Sequence, residues 1–256
     1  MKILYCDCAY YDIIDGKKKQ SVRSALASSG MDFVAIPDLC QVAAKEKSLL
    51  KGIASSGELA VVACHHRAVK SLFDYAGADK KTKLQVFNMK TSSAAEILRK
   101  LGVKVAAKRN GDSKIRWKSV KKDWIPWFPV IEYGRCVNCK QCLSFCLFGV
   151  YELSKKGKVL VAKPENCKTN CPACAKVCPK SAIIFPKYPE SPINGGEVDG
   201  NAPAGKNMKI DYDKILGDDT YAVLHQRRRL AMAGLLKEQN APAGGKSSKR
   251  RLLKKS

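Results

Sequence analysis

Over roughly the first hundred residues, short apolar runs alternate with longer stretches of helical period. "KILYC" reads as a strand, and "KKKQSVRSALASSG" as a helix closed by Gly30. "MDFVAIP" and "CQVAAKEKSLLKGIASSG" repeat the pattern, the second as one helix ending at Gly57. "ELAVVAC" is the most apolar strand. "HHRAVKSLFDYAG" then forms a helix stopping at Gly77. "KLQVFNM" and "TSSAAEILRKLG" complete the series, with Thr91 or Ser92 as N-cap and Gly102 as C-cap. Four strand–helix units predict a small parallel α/β sheet covered by helices, over residues 1–105.

After this domain the pattern changes. Residues 106–129 are basic, then aromatic, and are broken by Pro126 and Pro129. Trp124, Trp127 and Phe128 are too apolar for a free linker, so they should dock two domains or cover a cofactor. Residues 130–189 form a second, cysteine-rich domain. Residues 190–256 comprise a Gly/Pro/Asn-rich linker, a helix from about Asp219 to Glu238, and a basic tail expected to be disordered.

Composition narrows the chemistry. Twelve cysteines are many for 256 residues. The N-terminus lacks the basic-then-apolar order of a secretory signal, and no apolar run is long enough to span a bilayer. A cytoplasmic setting is therefore expected, where thiols stay reduced and dense cysteines point to metal or redox chemistry. The formal net charge of +24 would attract nucleic acid, anionic lipid or an acidic protein, and a Lys-rich solvated surface with a basic tail accounts for it equally.

Two cysteine runs dominate the second domain. Cys136, Cys139, Cys142 and Cys146 form C-x2-C-x2-C-x3-C. Cys167, Cys171, Cys174 and Cys178 form C-x3-C-x2-C-x3-C-P. A loop with three closely spaced thiolates can wrap three corners of an iron–sulfur cube, with a fourth ligand arriving from elsewhere. Zinc is the alternative, but its tetrathiolate sites use separated C-x2-C pairs.

The region from about 130 to 188 resembles a bacterial-type 2[4Fe–4S] ferredoxin domain. "FPVIEYGRCVNC" is similar to its first strand and loop, "GVYELSKKGKVLVAKPENC" to its central hairpin, and "SAIIFP" to its last strand. The resemblance implies an α+β ferredoxin-like fold with two [4Fe–4S] clusters and crossed ligation. One cluster would take Cys136, Cys139, Cys142 and Cys178, the other Cys167, Cys171, Cys174 and Cys146. Two features depart from the pattern. Leu147 stands where a proline would follow Cys146, and Cys167 and Cys171 are separated by three residues, the extra one expected to bulge.

Four cysteines remain. Cys6 and Cys8 follow the first strand, Cys40 the second, and Cys64 the third. In a parallel sheet those strand ends share one edge, where α/β proteins place their sites. The four could hold a third iron–sulfur cluster, or act as a redox dithiol, or simply be buried. His65 and His66 could join a site there but read better as helix N-terminal residues. "ILYCDCAYYDIID", the cysteine of "PDLCQ", and "ELAVVACHHRAVKSLFDYAG" resemble the N-terminal segment of heterodisulfide reductase A-type subunits, over residues 2–78. That likeness implies a cysteine-bearing domain coupled to iron–sulfur electron transfer. No flavin or dinucleotide fingerprint accompanies it.

The sequence thus predicts an electron carrier relaying electrons between redox partner proteins, with no independent catalytic set. One alternative is a thiol/disulfide-active subunit of a heterodisulfide-reductase-like complex. Another is a nucleic-acid-binding redox sensor acting through the tail, where 13 Lys and Arg face 5 Asp and Glu over residues 201–256. No RNA-binding motif supports the latter, and docking to an acidic partner surface is favoured.

Overall fold

The structure is a computed structural model and describes residues 2–55, 57–79, 81–103, 116–117 and 124–198, together with Gln226 and Arg229. Contacts divide the chain into two units, Met1–Asp211 and Tyr212–Ser256, and all described residues except those last two lie in the first. The expected tail helix and most of the basic connector fall outside the described residues.

A five-stranded parallel sheet forms the first half of the unit. Its strands are β1 (Lys2–Cys6), β2 (Phe33–Ile36), β3 (Glu58–Ala63), β4 (Lys83–Asn88) and β5 (Arg116–Trp117), in the order β4-β3-β1-β2-β5. β1 and β3 are apolar almost throughout and buried on both faces, as central parallel strands must be. β4, at one edge, alternates between exposed and partly buried positions until Phe87. The helices are α1 (Gly16–Ser28), α2 (Leu39–Lys45), α3 (Lys47–Ala54), α4 (His66–Ala76) and α5 (Ala94–Lys100). α1 packs with α5, while α2 and α3 pack with α4.

Three details differ from the sequence expectation. The second helix is two, because Glu46 leaves the helical region at φ −125° and ψ 49°. That break lets two short apolar faces, Leu39–Ala43 and Leu50–Ala54, each settle against α4. The N-cap of α5 is Ser93, one residue beyond the expected pair. Ser93 Oγ accepts the Glu96 N–H at 3.2 Å, and Glu96 accepts the Ser93 N–H in return, a reciprocal box that Thr91 and Ser92 cannot make. The sheet gains a fifth strand from the basic connector, where Val34 and Ala35 pair with Arg116 and Trp117. Gly77 does close α4 as expected: at φ 74° it turns left-handed, and its N–H reaches the Asp74 and Phe73 carbonyls.

The second half is smaller and irregular. β6 (Val130–Ile131) pairs antiparallel with β9 (Ile183–Ile184), and β7 (Tyr151–Leu153) with β8 (Val159–Val161). Short helices α6 (Gln141–Phe145) and α7 (Ala173–Lys176) and a 3-10 turn at Pro164–Asn166 complete it.

The halves are tied along α4, which packs on β6. Phe128, buried, lies 5.5 Å from the Tyr75 ring and 5.7 Å from Trp124. The Arg67 guanidinium, from α4, pairs with Glu132 at 2.6 Å and donates to the carbonyls of Ser181, Pro192 and Gly196. Replacing Arg67 leaves Glu132 and those carbonyls short of donors. Arg67→Met is expected to cost about 2–3 kcal/mol of stability. Chemical denaturation checks this, and a double-mutant cycle with Glu132→Gln should return a favourable coupling energy.

Candidate functional sites at the cysteine clusters

The two cysteine runs interleave in space. Cys136, Cys139 and Cys142 line one cavity together with Cys178 from the second run. Cys167, Cys171 and Cys174 line another together with Cys146 from the first. Two short helices carry the exchange. Cys142 lies in the first turn of α6 and Cys146 follows its end, while Cys174 lies in α7 and Cys178 just beyond. Each helix spans the distance between one cavity and the other.

Local backbone geometry shapes the loops. Asn138, Lys140 and Asn170 adopt left-handed φ values of 55°, 64° and 62°. The Asn138 side chain also staples its loop to the hairpin, donating to the Gly157 carbonyl at 2.9 Å and accepting the Val159 N–H at 3.0 Å. The additional residue between Cys167 and Cys171 is taken up by a turn in which the Cys171 N–H donates to the Lys168 carbonyl at 3.1 Å. Asn170 supplies the left-handed step there, a conformation asparagine tolerates.

Donors approach individual sulfurs. The Ala182 N–H lies 3.3 Å from Cys178 Sγ, and the buried Tyr151 hydroxyl donates to Cys174 Sγ at 3.1 Å. Burial pushes the Cys142 and Cys167 thiols up to about 12. A metal centre taken up here must displace those protons, so loading releases acid. Among the described residues, no three His, Cys, Asp or Glu side chains gather as a single metal ion requires. A zinc ion draws four sulfurs to about 2.3 Å from one centre. A cube spreads its four thiolates over four irons.

The remaining four cysteines also meet. Cys6, Cys8, Cys40 and Cys64 line a third, small cavity at the carboxyl edge of the sheet, with Ile14, Leu39 and Lys187. It lies beside the β1/β3 switch point, where the chain order reverses. All four thiols are buried. Burial raises the pKa of each, that of Cys64 to about 12. The Leu39 N–H donates to Cys6 Sγ at 3.2 Å.

Two charged residues of this chamber gave no sequence signal of their role. Lys187, 4 % exposed, donates to Cys8 Sγ at 3.1 Å and forms an ion pair with Asp38, which is fully buried. Burial lowers the Lys187 pKa, but the Asp38 carboxylate and the sulfurs of Cys40, Cys8 and Cys6 together hold it above the ordinary value. Asp38 also caps α2, accepting from the Cys40 and Gln41 N–H groups at 2.9 and 3.2 Å. The order in "PDLC", an acidic residue before an apolar run, suits a helix N-cap and is the signal that could have drawn attention to Asp38, whereas "FPKYP" offers none for Lys187.

His65 is buried beside the cavity, 3.1 Å from the Asn88 amide, and burial lowers its pKa to about 4. His66 is exposed at the start of α4. Neither histidine lines the thiol chamber.

Between the third cavity and the second lies an aromatic wall. Trp127 stacks on Phe185 at 5.4 Å, meets Tyr11 at 5.9 Å, and donates its indole N–H to the Cys171 carbonyl at 3.4 Å. Trp127, Phe185 and Lys187 share a crevice with Cys40. The aromatic connector thus both packs the halves together and borders two cysteine groups.

The family described as 4Fe-4S dicluster domain matches residues 135–182. Over 67 residues the chain is 49% identical to an uncharacterized ferredoxin of Methanocaldococcus jannaschii, covering 26% of this chain and 45% of that protein. It is 32% identical over 76 residues to Ferredoxin-3 of Nostoc sp., covering 23% of this chain and 77% of that protein. The chain thus spans less than half of the first relative and most of the second. No solved structure matches. The likeness to heterodisulfide reductase subunits finds no support among these matches.

Removing one partner of the buried ion pair isolates the other. Lys187→Met should cost about 3–5 kcal/mol by stranding the Asp38 carboxylate. Adding Asp38→Asn, which keeps the cap on α2, should recover much of that loss. Urea denaturation of both variants measures the difference.

Proposed function

The chain belongs to the ferredoxin family, and from that premise we propose that it carries two [4Fe–4S] clusters and passes single electrons between partner oxidoreductases. The observation that carries the reading is the interleaving of the two runs, each cavity being lined by three cysteines of one run and one of the other. Cys136, Cys139, Cys142 and Cys178 would hold one cluster, and Cys146, Cys167, Cys171 and Cys174 the second. When bound, each cluster supplies reversible one-electron chemistry.

The protein's own residues set the conditions. Thiolates fix the metal, and the surrounding apolar wall of Val150, Val159 and Ile183 limits water. Hydrogen bonds from Tyr151 and the Ala182 amide spread the negative charge that gathers on the sulfurs. Partner recognition would follow charge: a chain of net charge +24 attracts an acidic docking surface, and steering of this kind weakens with salt. Among the described residues no helix is long and apolar enough to cross a membrane. A soluble relay in the cytoplasm accords with the reduced thiols this function needs.

Iron and acid-labile sulfide measured on protein purified without oxygen test the reading. About eight irons per chain are expected, and Cys178→Ser or Cys146→Ser should each cost about four. Zinc in place of iron would overturn it. Tyr151→Phe removes a donor to Cys174 and should lower the potential of one cluster only, as read by an EPR-monitored titration.

A further inference from the structure

The electron-transfer reading leaves the chamber of Cys6, Cys8, Cys40, Cys64 and Lys187 without a task. Each of its thiols is less than a tenth exposed. Sulfurs so deep are out of reach of a disulfide substrate held at the surface, whereas electrons cross packed protein readily. A buried lysine–aspartate pair is costly to build among thiols, and it is aimed: Lys187 Nζ meets Cys8 Sγ at 3.1 Å.

We infer that Cys8 and Cys64 form an internal dithiol–disulfide couple, with Lys187 as its positioning residue, that stores electrons drawn from the ferredoxin domain. The inference rests on the electron-transfer function proposed above. The surroundings of Cys64 and the Lys187 contact select the pair. Continuing the parallel β1–β3 ladder past its end sets Cys64 level with Asp7, between Cys6 and Cys8. Of these two, Cys8 is the thiol that acts on Cys64 most strongly, and it is the one that Lys187 touches. Cys6 and Cys8, separated by one residue, would close a strained ring.

Cys8 carries a second mark. Its backbone is left-handed, at φ 48°, although it is not glycine. Such conformations persist where the surroundings over-determine them, and they cluster at functional sites. Here the surroundings are the Ala9 N–H bonded to the Pro37 carbonyl and the Lys187 ammonium on the sulfur.

The chemistry balances. The Cys8–Cys64 sulfur–sulfur bond breaks, each sulfur gains one electron, and two protons from water end on the two sulfurs as thiols. The Lys187 ammonium stabilises the charge that develops on Cys8 sulfur before its proton arrives. The two electrons come one at a time from the ferredoxin domain's electron-transfer function, and the reverse reaction returns them. Trp127 is the physical link, hydrogen-bonded to the Cys171 carbonyl and sharing a crevice with Cys40. Cys40 in turn lines the chamber with Cys8 and Cys64.

The test uses the full, iron-loaded chain prepared without oxygen. It is oxidised with diamide, titrated with dithionite, acid-quenched at each step, and mapped by alkylation and mass spectrometry. A peptide pair linked through Cys8 and Cys64 is expected in the oxidised protein and should vanish on reduction. The wild type should take up about four electrons, two at the clusters and two at the couple. Cys8→Ser and Cys64→Ser should each take up about two, with iron unchanged. Trp127→Leu should slow reduction of the couple roughly tenfold. If all four cysteines remain free thiols in oxidised protein, the inference fails. It fails equally if Cys8→Ser lowers iron from about twelve to about eight per chain, because the chamber would then hold a cluster. A wild type lacking iron would sink the electron-transfer reading instead, while the diamide-induced link would still judge the Cys8–Cys64 pairing itself.

Discussion

A buried ammonium cannot stand alone, and the joint between the two halves depends on that fact. Lys187 enters the sheet edge from the segment that follows β9, and it meets there the fully buried Asp38. Desolvating either charge costs several kcal/mol, and only their close pairing and further hydrogen bonds offset it. Asp38 is held in place by its second duty at the N-terminus of α2. This pair helps to register the cysteine-rich half on the sheet, and Trp127, Phe128 and Phe185 pack nearby.

The thiol chamber is a consequence of topology before it is a matter of side chains. Parallel strands deliver their carboxyl ends to one edge, because every crossover must return the chain to the opposite edge. Cys6, Cys8, Cys40 and Cys64 are separated by up to 58 residues in sequence, yet each follows one of three adjacent strands, β1, β2 or β3. The same logic works at smaller scale in the cysteine-rich half. There α6 and α7 are each just long enough to hand the last cysteine of a run to the neighbouring cavity.

Much of this was legible in the sequence, for reasons that can be stated. The strands β1 to β4 are bounded apolar runs, and Gly77 and Gly102 mark helix ends because they take left-handed backbone. The convergence of the four N-terminal cysteines followed from counting strands. What escaped was non-local. β5 is a two-residue strand whose only warrant is a vacant edge beside β2, and nothing in "RW" announces it. The break at Glu46 reflects how two short helices share α4, a tertiary demand that helix period does not encode. Lys187 belongs to no periodic element, and its importance comes from Asp38, 149 residues earlier. Sequence reading finds residues whose neighbours in the chain explain them, and it misses those explained by neighbours in space.

Arg67 extends this to the history a chain like this can have. Its guanidinium reaches one carboxylate and three carbonyls that all belong to the other half. Small iron–sulfur modules are commonly imagined as interchangeable cassettes, inserted or excised at will. Here excision would bare Phe128 and strand Lys187, and it would strip those carbonyls of their shared cation. In this chain the iron–sulfur half and the sheet therefore present matched faces to each other. A graft of either onto a foreign partner would have to bring the matching face with it.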